Sequence, residues 1–255
     1  MRRNKTSAVF SEQQYTEAYP DGMANHYWTI NRNRLVESKI RQTMNTNGTI
    51  LDIGTGRGTT VQWLIRHNLD CYGCEIGTPK IDPDVKDKIF TATNAFNLPQ
   101  KFRAHISTIL ILDVLEHLKD PGSMLTQCRL KFPRLKTLII TVPACSSLWS
   151  NYDEYYGHYR RYDRTGLQNL IVNHGFRLIE CGYFFHTLYI PARLLMQIFR
   201  QRSTILPPPR HTRLHSWLAS IFYWETKILP QTWLGTSLIA VASPLGKHLN
   251  NHGIR

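Results

Sequence analysis

The chain has 255 residues, 42% of them apolar, with 31 Lys and Arg against 18 Asp and Glu and a formal net charge of +13. That apolar fraction is enough for a core and excludes a disordered or fibrous chain, while the length suits one large domain or two small ones. The positive excess points to a polyanionic partner, either nucleic acid or an anionic membrane surface, because net charge governs association and not fold. Its distribution is uneven: residues 185–255 hold eight basic side chains and one acid, more than half of the excess.

The cysteines, Cys71, Cys74, Cys128, Cys145 and Cys181, are odd in number and scattered through apolar stretches, which argues for a reducing compartment. Cys71 and Cys74 form a CxxC, but inside a strand-like run, and no second pair completes a zinc site. All five are expected in the core, and no metal is expected. Met1-Arg-Arg-Asn-Lys5 is basic, yet polar residues follow it where a signal peptide has an apolar region. No uncharged apolar run reaches the ~18–20 residues of a bilayer span. The expected location is therefore cytoplasmic, with peripheral attachment at the inner membrane face as its variant.

In chain order, an N-terminal region (1–48) is expected to form a helical cap. Strands are then expected at Ile50–Ile53, Leu69–Cys74, Ile89–Thr91, His105–Asp113, Thr137–Val142 and Phe176–Phe184. Helices fall at Gly58–His67, Pro121–Leu130 and Thr165–His174. Strands alternating with helices imply a mostly parallel sheet covered on both faces, a doubly wound α/β domain over 49–184 and 236–255. A seventh strand, Ser237–Ala242, follows an interval too long for a loop. That interval, 185–235, reads as two inserted amphipathic helices, expected as a lid over the acceptor pocket or as a membrane or dimer contact. In the first, Arg193, Gln197, Arg200 and Gln201 form a polar stripe beside Leu194, Leu195, Ile198 and Phe199. In the second, Ser216, Ser220, Tyr223 and Lys227 are the polar stripe and Trp217, Leu218, Ile221 and Ile228 the apolar one.

Leu51-Asp-Ile-Gly-Thr-Gly-Arg-Gly58 follows the first strand and opens the first helix of the sheet, where α/β folds bind nucleotides. Its glycines are spaced GxGxG, and Asp52 precedes them. A carboxylate there suits a ligand with a cationic ammonium group better than a pyrophosphate, which it would repel. Glu75, at the tip of the second strand, is placed to accept both hydroxyls of a ribose; taken alone it is equally a solvated strand-end charge.

These residues resemble motif I and the following acidic position of class I S-adenosylmethionine-dependent methyltransferases. Asp113-Val-Leu-Glu-His-Leu-Lys-Asp-Pro121 resembles the "DVLEHLxDP" segment of the small-molecule (type 11/23-like) branch, which includes ubiquinone-type O-methyltransferases. The resemblance covers about 45–184 and 236–243 and implies a Rossmann-like seven-stranded sheet with the last strand antiparallel. It further implies S-adenosyl-L-methionine as cofactor and S-adenosyl-L-homocysteine as product. Asp52, Gly54, Thr55, Gly56 and Gly58 would surround the methionine moiety, and Glu75 with Ile76 would hold the ribose. Asn94 and Ala95 would sit beside the adenine, and Asp113, Val114 and Leu115 would line the pocket. The family often has Asp where Asn94 stands; the Asn94 carbonyl oxygen can still accept from the adenine amino group. His26-Tyr-Trp28 with Arg32 resembles an N-terminal "HxW…R" segment that closes over the cofactor; alternatively Trp28 packs on the sheet.

Methyl transfer from a sulfonium is an in-line displacement, so a hydroxyl acceptor must be aligned and must lose a proton. Glu116 and His117 follow the fourth strand close to the expected methyl position, and His117 is the first candidate base because imidazole titrates near neutrality. It is equally a helix-terminal histidine holding a backbone group. After the fifth strand, Trp149–Tyr162 carries two acids, a His, two Arg and five Tyr. It resembles the "DExxGHxRRY" segment of methyltransferases of bacterial polysaccharide and natural-product pathways, in which Asp153, His158, Arg161 and Tyr162 would contact or activate the acceptor. The alternative is a packed loop with Arg161 paired to Asp153.

The leading expectation is a methyltransferase acting, at oxygen, on a small-molecule or lipid- or glycan-linked acceptor. Expected partners are that acceptor, an anionic membrane surface under the inserted helices, or a second copy in a homodimer. An RNA methyltransferase is the rival enzyme, and a cofactor-binding pseudoenzyme or interaction module the non-enzyme alternative. Asp113-Val-Leu-Glu116 lacks the (Asp/Asn)-Pro-Pro-(Tyr/Phe) of amino-methylating nucleic-acid enzymes, and Pro143-Ala-Cys145 does not match the Pro-Cys nucleophile of cytosine-carbon enzymes.

Overall fold

The computed structural model describes residues 9–43, 48–199 and 201–246. The basic N-terminus, Arg200 and the end of the chain lie outside the described residues. A seven-stranded sheet runs in the order β3-β2-β1-β4-β5-β7-β6. Its strands are β1 (Thr49–Ile53), β2 (Cys71–Cys74), β3 (Ile89–Phe90), β4 (Ile106–Leu112), β5 (Thr137–Pro143), β6 (Phe176–Phe184) and β7 (Ser237–Pro244). Strands β1 to β5 pair in parallel, and β7 inserts antiparallel between β5 and β6.

The central strands read as unbroken apolar runs because both faces are covered. In β4, Ile109 and Ile111 join one core with Leu125 of α5 (Pro121–Lys131) and Leu167 and Ile171 of α7 (Arg164–Asn173). Leu110 and Leu112 point the other way, to Leu35 and Val36 of α2 (Tyr27–Thr43), Val61 and Leu64 of α3 (Thr59–Arg66) and Phe222 of α9 (Thr212–Ile228). The N-terminal helix α2 is thus one of the helices that cover the sheet. All five cysteines are buried thiols in or beside these cores.

Local chemistry sets the helix starts. Asp120 accepts from the Ser123 N–H with Pro121 in the first turn of α5, and Asp163 accepts from the Gly166 N–H ahead of α7. Within the N-terminal region expected to be helical, a short helix, α1 (Glu12–Ala18), starts at a capping box of Ser11 and Gln14. Two more short helices are α4 (Gln100–Arg103) and α6 (Asn151–Tyr155).

The inserted segment forms α8 (Tyr189–Phe199) and α9. Both helices form where expected. In α9 the residues against the body are Ala219, Phe222, Glu225 and Thr226. Ser220 accepts from Arg34 and Lys227 donates to Ser38, so the polar stripe meets α2. Trp217, Ile221, Trp224 and Ile228 are exposed, while Leu218 packs on the core. In α8 no residue is buried, and Leu194, Leu195, Ile198 and Phe199 all face outward. Glu225, the single acid of the segment, is buried where it accepts from the backbone of His186 and Thr187, tying the start of the insertion to α9.

Candidate active site

Motif I forms the turn between β1 and α3. Gly54 has φ of +79° and lies so close to β4's end that an added Cβ would stand 2.5 Å from Val114 Cγ2. Gly58 has φ of +89° and opens α3, but its missing Cβ makes room for Ile89, at 2.2 Å, and not for a ligand. Asp113, just past β4, is held at φ +56°, in the left-handed region. Its N–H donates to the Thr141 carbonyl, and its carboxylate accepts from Arg32 (2.8 Å) and Thr141 (3.2 Å).

A cavity of about 270 Å³ opens over this edge of the sheet. Of the residues expected at the cofactor, it is lined by Gly54, Glu75, Ile76, Asn94, Ala95, Asp113 and Val114, together with His117. Others stand elsewhere. Leu115 is wholly buried in the core. Trp28 stacks on Phe185 and under the Arg32 guanidinium, so the packing alternative holds for it. Arg32 does not line the cavity; it braces Asp113 and Thr60 from behind. Asp52 and Thr55 also lie behind the cavity wall. Thr55 donates to Asp52 Oδ2 at 2.8 Å, while Oδ1 is buried without a hydrogen-bond partner. Burial pushes the Asp52 carboxyl up to about 6, the Thr55 hydrogen bond and Arg32 only partly opposing it.

Glu75 is buried, which removes the reading as a solvated strand-end charge. Its Oε2 accepts from the Gly56 N–H (2.9 Å), and its Oε1 from the Gly77 N–H (3.1 Å) and the Tyr15 hydroxyl (3.0 Å). A Cβ on Gly56 would touch the Tyr19 ring and one on Gly77 the Tyr15 ring, so α1 lies directly on motif I. Sequence reasoning missed these two tyrosines. Their signal was available: they are spaced four apart, on one face of a helix opened by Ser11-x-x-Gln14. Asn94 accepts from the Phe96 N–H through Oδ1, which commits one lone pair of the oxygen expected for adenine to a turn.

The acceptor loop folds inward. Asp153 is fully buried and accepts from Arg161 Nε (2.8 Å), His158 Nδ1 (2.8 Å) and the Ser150 N–H (2.9 Å). Burial alone would raise its carboxyl, but His158 and Arg161 overcome that and hold it at about 2. Arg161 also donates to the Ala144 carbonyl, and the Tyr162 hydroxyl to the Leu115 carbonyl. Asp153, Arg161 and Tyr162 are therefore spent on the loop's own structure, as in the packed-loop alternative. His117 Nδ1 donates to the Tyr156 carbonyl (3.0 Å), and its ring meets that of His158 edge-on. Burial, with His158 adding to it, pushes the His117 imidazole down to about 3, away from the near-neutral value expected of a general base. Glu116 is buried beside them, its carboxyl raised by burial first and Asp113 second.

The inserted segment covers this loop. Arg202 lies over the Tyr152 ring, the Tyr156 hydroxyl donates to the Thr204 carbonyl (2.8 Å), and Asn151 exchanges hydrogen bonds with Arg202.

A methyltransferase-domain family profile matches residues 25–181. Among solved structures the chain is similar to Haemonchus contortus phosphoethanolamine N-methyltransferase 2 in complex with S-adenosyl-L-methionine, with 14% identity, a TM-score of 0.57, and coverage of 93% of this chain and 61% of that one. Burkholderia thailandensis 1,6-didemethyltoxoflavin-N1-methyltransferase, with S-adenosylhomocysteine bound, matches at 14% identity and a TM-score of 0.55, over 92% of this chain and 84% of that one. The [4+2]-cyclase SpnF matches at 15% identity and 0.51, over 84% and 82%. No curated protein matches the sequence significantly. The chain belongs to this methyltransferase family, and it is a class I, S-adenosylmethionine-dependent enzyme.

Proposed function

We propose that the chain methylates an oxygen of a small, lipid-linked acceptor delivered from an anionic membrane surface. The observation that carries this reading is the inserted segment: it covers the acceptor loop through Arg202 and Thr204 while α8 and α9 turn their apolar faces outward. Exposed tryptophans and aliphatics beside the exposed Arg210, Arg213 and Lys227 match an interfacial surface with anionic headgroups.

S-adenosylmethionine, when bound, supplies an electrophilic methyl group on a sulfonium. Glu75 would accept from the ribose hydroxyls in place of Tyr15, and Ile76 and Ala95 would flank the adenine. Asp113, with the unpartnered Asp52 Oδ1 behind it, would set negative charge against the methionine ammonium. His117 lines the cavity with Nδ1 committed to Tyr156, which leaves Nε2 to meet an acceptor hydroxyl, directly or through a bound cation. Asp153, Arg161 and Tyr162 are positioning residues that hold the loop.

The test is methyl transfer from labelled S-adenosylmethionine to phenolic, sugar and polyprenyl-linked alcohols, with and without anionic vesicles. Transfer to a polyprenyl-linked alcohol, enhanced by vesicles, is expected. Methylation of an amine with no response to vesicles, or tight salt-sensitive RNA binding, overturns the reading.

A further inference from the structure

The turn after β4 and the acceptor loop bring three groups to one point. Glu116, His117 and His158 each offer one ligand atom, and these atoms all lie within 4.8 Å of one another. The opposite edge of each imidazole is committed. His117 Nδ1 faces the Tyr156 carbonyl, which can only accept, and His158 Nδ1 faces the Asp153 carboxylate, itself fixed by Arg161 and Ser150. Both rings therefore carry their proton on Nδ1 and present an Nε2 lone pair. A carbonyl or carboxylate on the far nitrogen is the arrangement that orients histidine ligands and raises their basicity. Glu116 supplies the independent observation: the residue is 1% exposed, and its Oε2 is buried without a hydrogen-bond partner. A buried carboxylate oxygen is costly unless a donor or cation meets it.

We propose that Glu116, His117 and His158 form a binding site for a divalent transition cation of the zinc class, with a further coordination position open to the cavity that His117 lines. Two imidazoles and one carboxylate suit zinc and its first-row neighbours, whereas magnesium and calcium prefer all-oxygen sets. Tetrahedral zinc holds its ligand atoms about 3.3 Å apart, inside the 4.8 Å limit that the three groups already meet. Cation binding goes beyond the oxygen-methylation reading; only its catalytic use rests on that reading. An acceptor hydroxyl at the open position would have its proton lowered in pKa and lost to water. An oxygen lone pair would then form the bond to the methyl carbon as the carbon–sulfur bond breaks and leaves its pair on sulfur.

The test uses the full chain stripped with chelator and titrated with zinc chloride alone. One equivalent should bind with a Kd of about 1 µM or tighter, uncontested by millimolar magnesium. Glu116→Gln and His158→Gln should weaken binding more than about 100-fold, and Asp153→Asn about 10- to 100-fold through the His158 orientation. Cobalt in the unsubstituted chain should give the intense visible absorption of a low-symmetry, four-coordinate site, a readout that needs no variant. S-adenosylmethionine binding in each preparation reports the fold. Zinc binding that is substoichiometric, unaffected by these substitutions or displaced by magnesium overturns the cation site. Its failure with methyl transfer to oxygen intact leaves the functional reading standing, and zinc binding with no oxygen acceptor found does the reverse.

Discussion

Asp52 shows how a site residue costs the empty fold stability. Burial raises its folded pKa from the ordinary 3.8 to about 6, so the folded chain holds the proton more tightly than the unfolded one. The sign follows: stability is fully present below pH 4, falls as pH rises through about 6, and the cost levels off at about 3 kcal/mol. Asp52→Asn should raise the melting temperature of the cofactor-free protein above pH 7 while weakening S-adenosylmethionine binding about tenfold or more, read by thermal unfolding and calorimetry. Unchanged affinity would remove Asp52 from the ammonium's electrostatics. Tyr15 acts in the opposite sense. Its hydroxyl occupies Glu75 Oε1, so Tyr15→Phe should tighten cofactor binding several-fold by removing a competitor for a charged acceptor. Weaker binding would mean that Tyr15 closes over the bound cofactor instead.

At the scale of elements, the junction of α2 and α9 is built on two histidines. The Trp28 N–H donates to His26 Nδ1 and the Tyr27 N–H to His215 Nδ1, so each ring accepts from the first turn of α2. Protonating the His26 Nδ1 loses its bond, and the rings stand 4.9 Å apart. Burial first, and His215 second, push His26 down to about 4. A depressed histidine contributes stability above its unfolded value near 6.5 that is lost as pH falls toward 4. Limited proteolysis should therefore cut around α9 faster at pH 5 than at pH 7, and His26→Gln, which keeps an acceptor without the charge, should flatten that profile. A profile identical in both proteins would exclude the pair as its source.

For the whole molecule, the excess of charge noted in the sequence resolves into a surface. No helix among the described residues is long and apolar enough to cross a membrane, but α8 and α9 expose Ile198, Trp217, Trp224 and Ile228 beside basic residues. Trp217→Ser and Trp224→Ser should each reduce co-sedimentation with phosphatidylglycerol vesicles about tenfold, since a buried aromatic contributes roughly 1.5–3 kcal/mol. High salt should weaken the remainder. Equal binding to neutral vesicles, or a concentration-dependent dimer whose formation these substitutions abolish, would assign the face to another use.

The sequence determined the sheet and its glycine turn because both are local. A strand buried on two faces needs an unbroken apolar run, and a turn into a helix needs glycine where φ is positive, so β1 to β7 and Gly54 were legible from residue type and spacing. What tertiary structure decided were the directions of side chains between elements remote in sequence. The period of α9 marked two stripes, but only packing against α2 settled that Ser220 meets Arg34 and that Leu218 packs on the core while Trp217 stays outside. The same holds in the site. Asp153 and Arg161 were visible as charges, yet their burial around one another, and the meeting of Glu116 and His117 with His158 some forty positions away, follow from how the acceptor loop folds against the end of β4. Composition established that the charge was there, and the fold decided which face carries the apolar surface beside it.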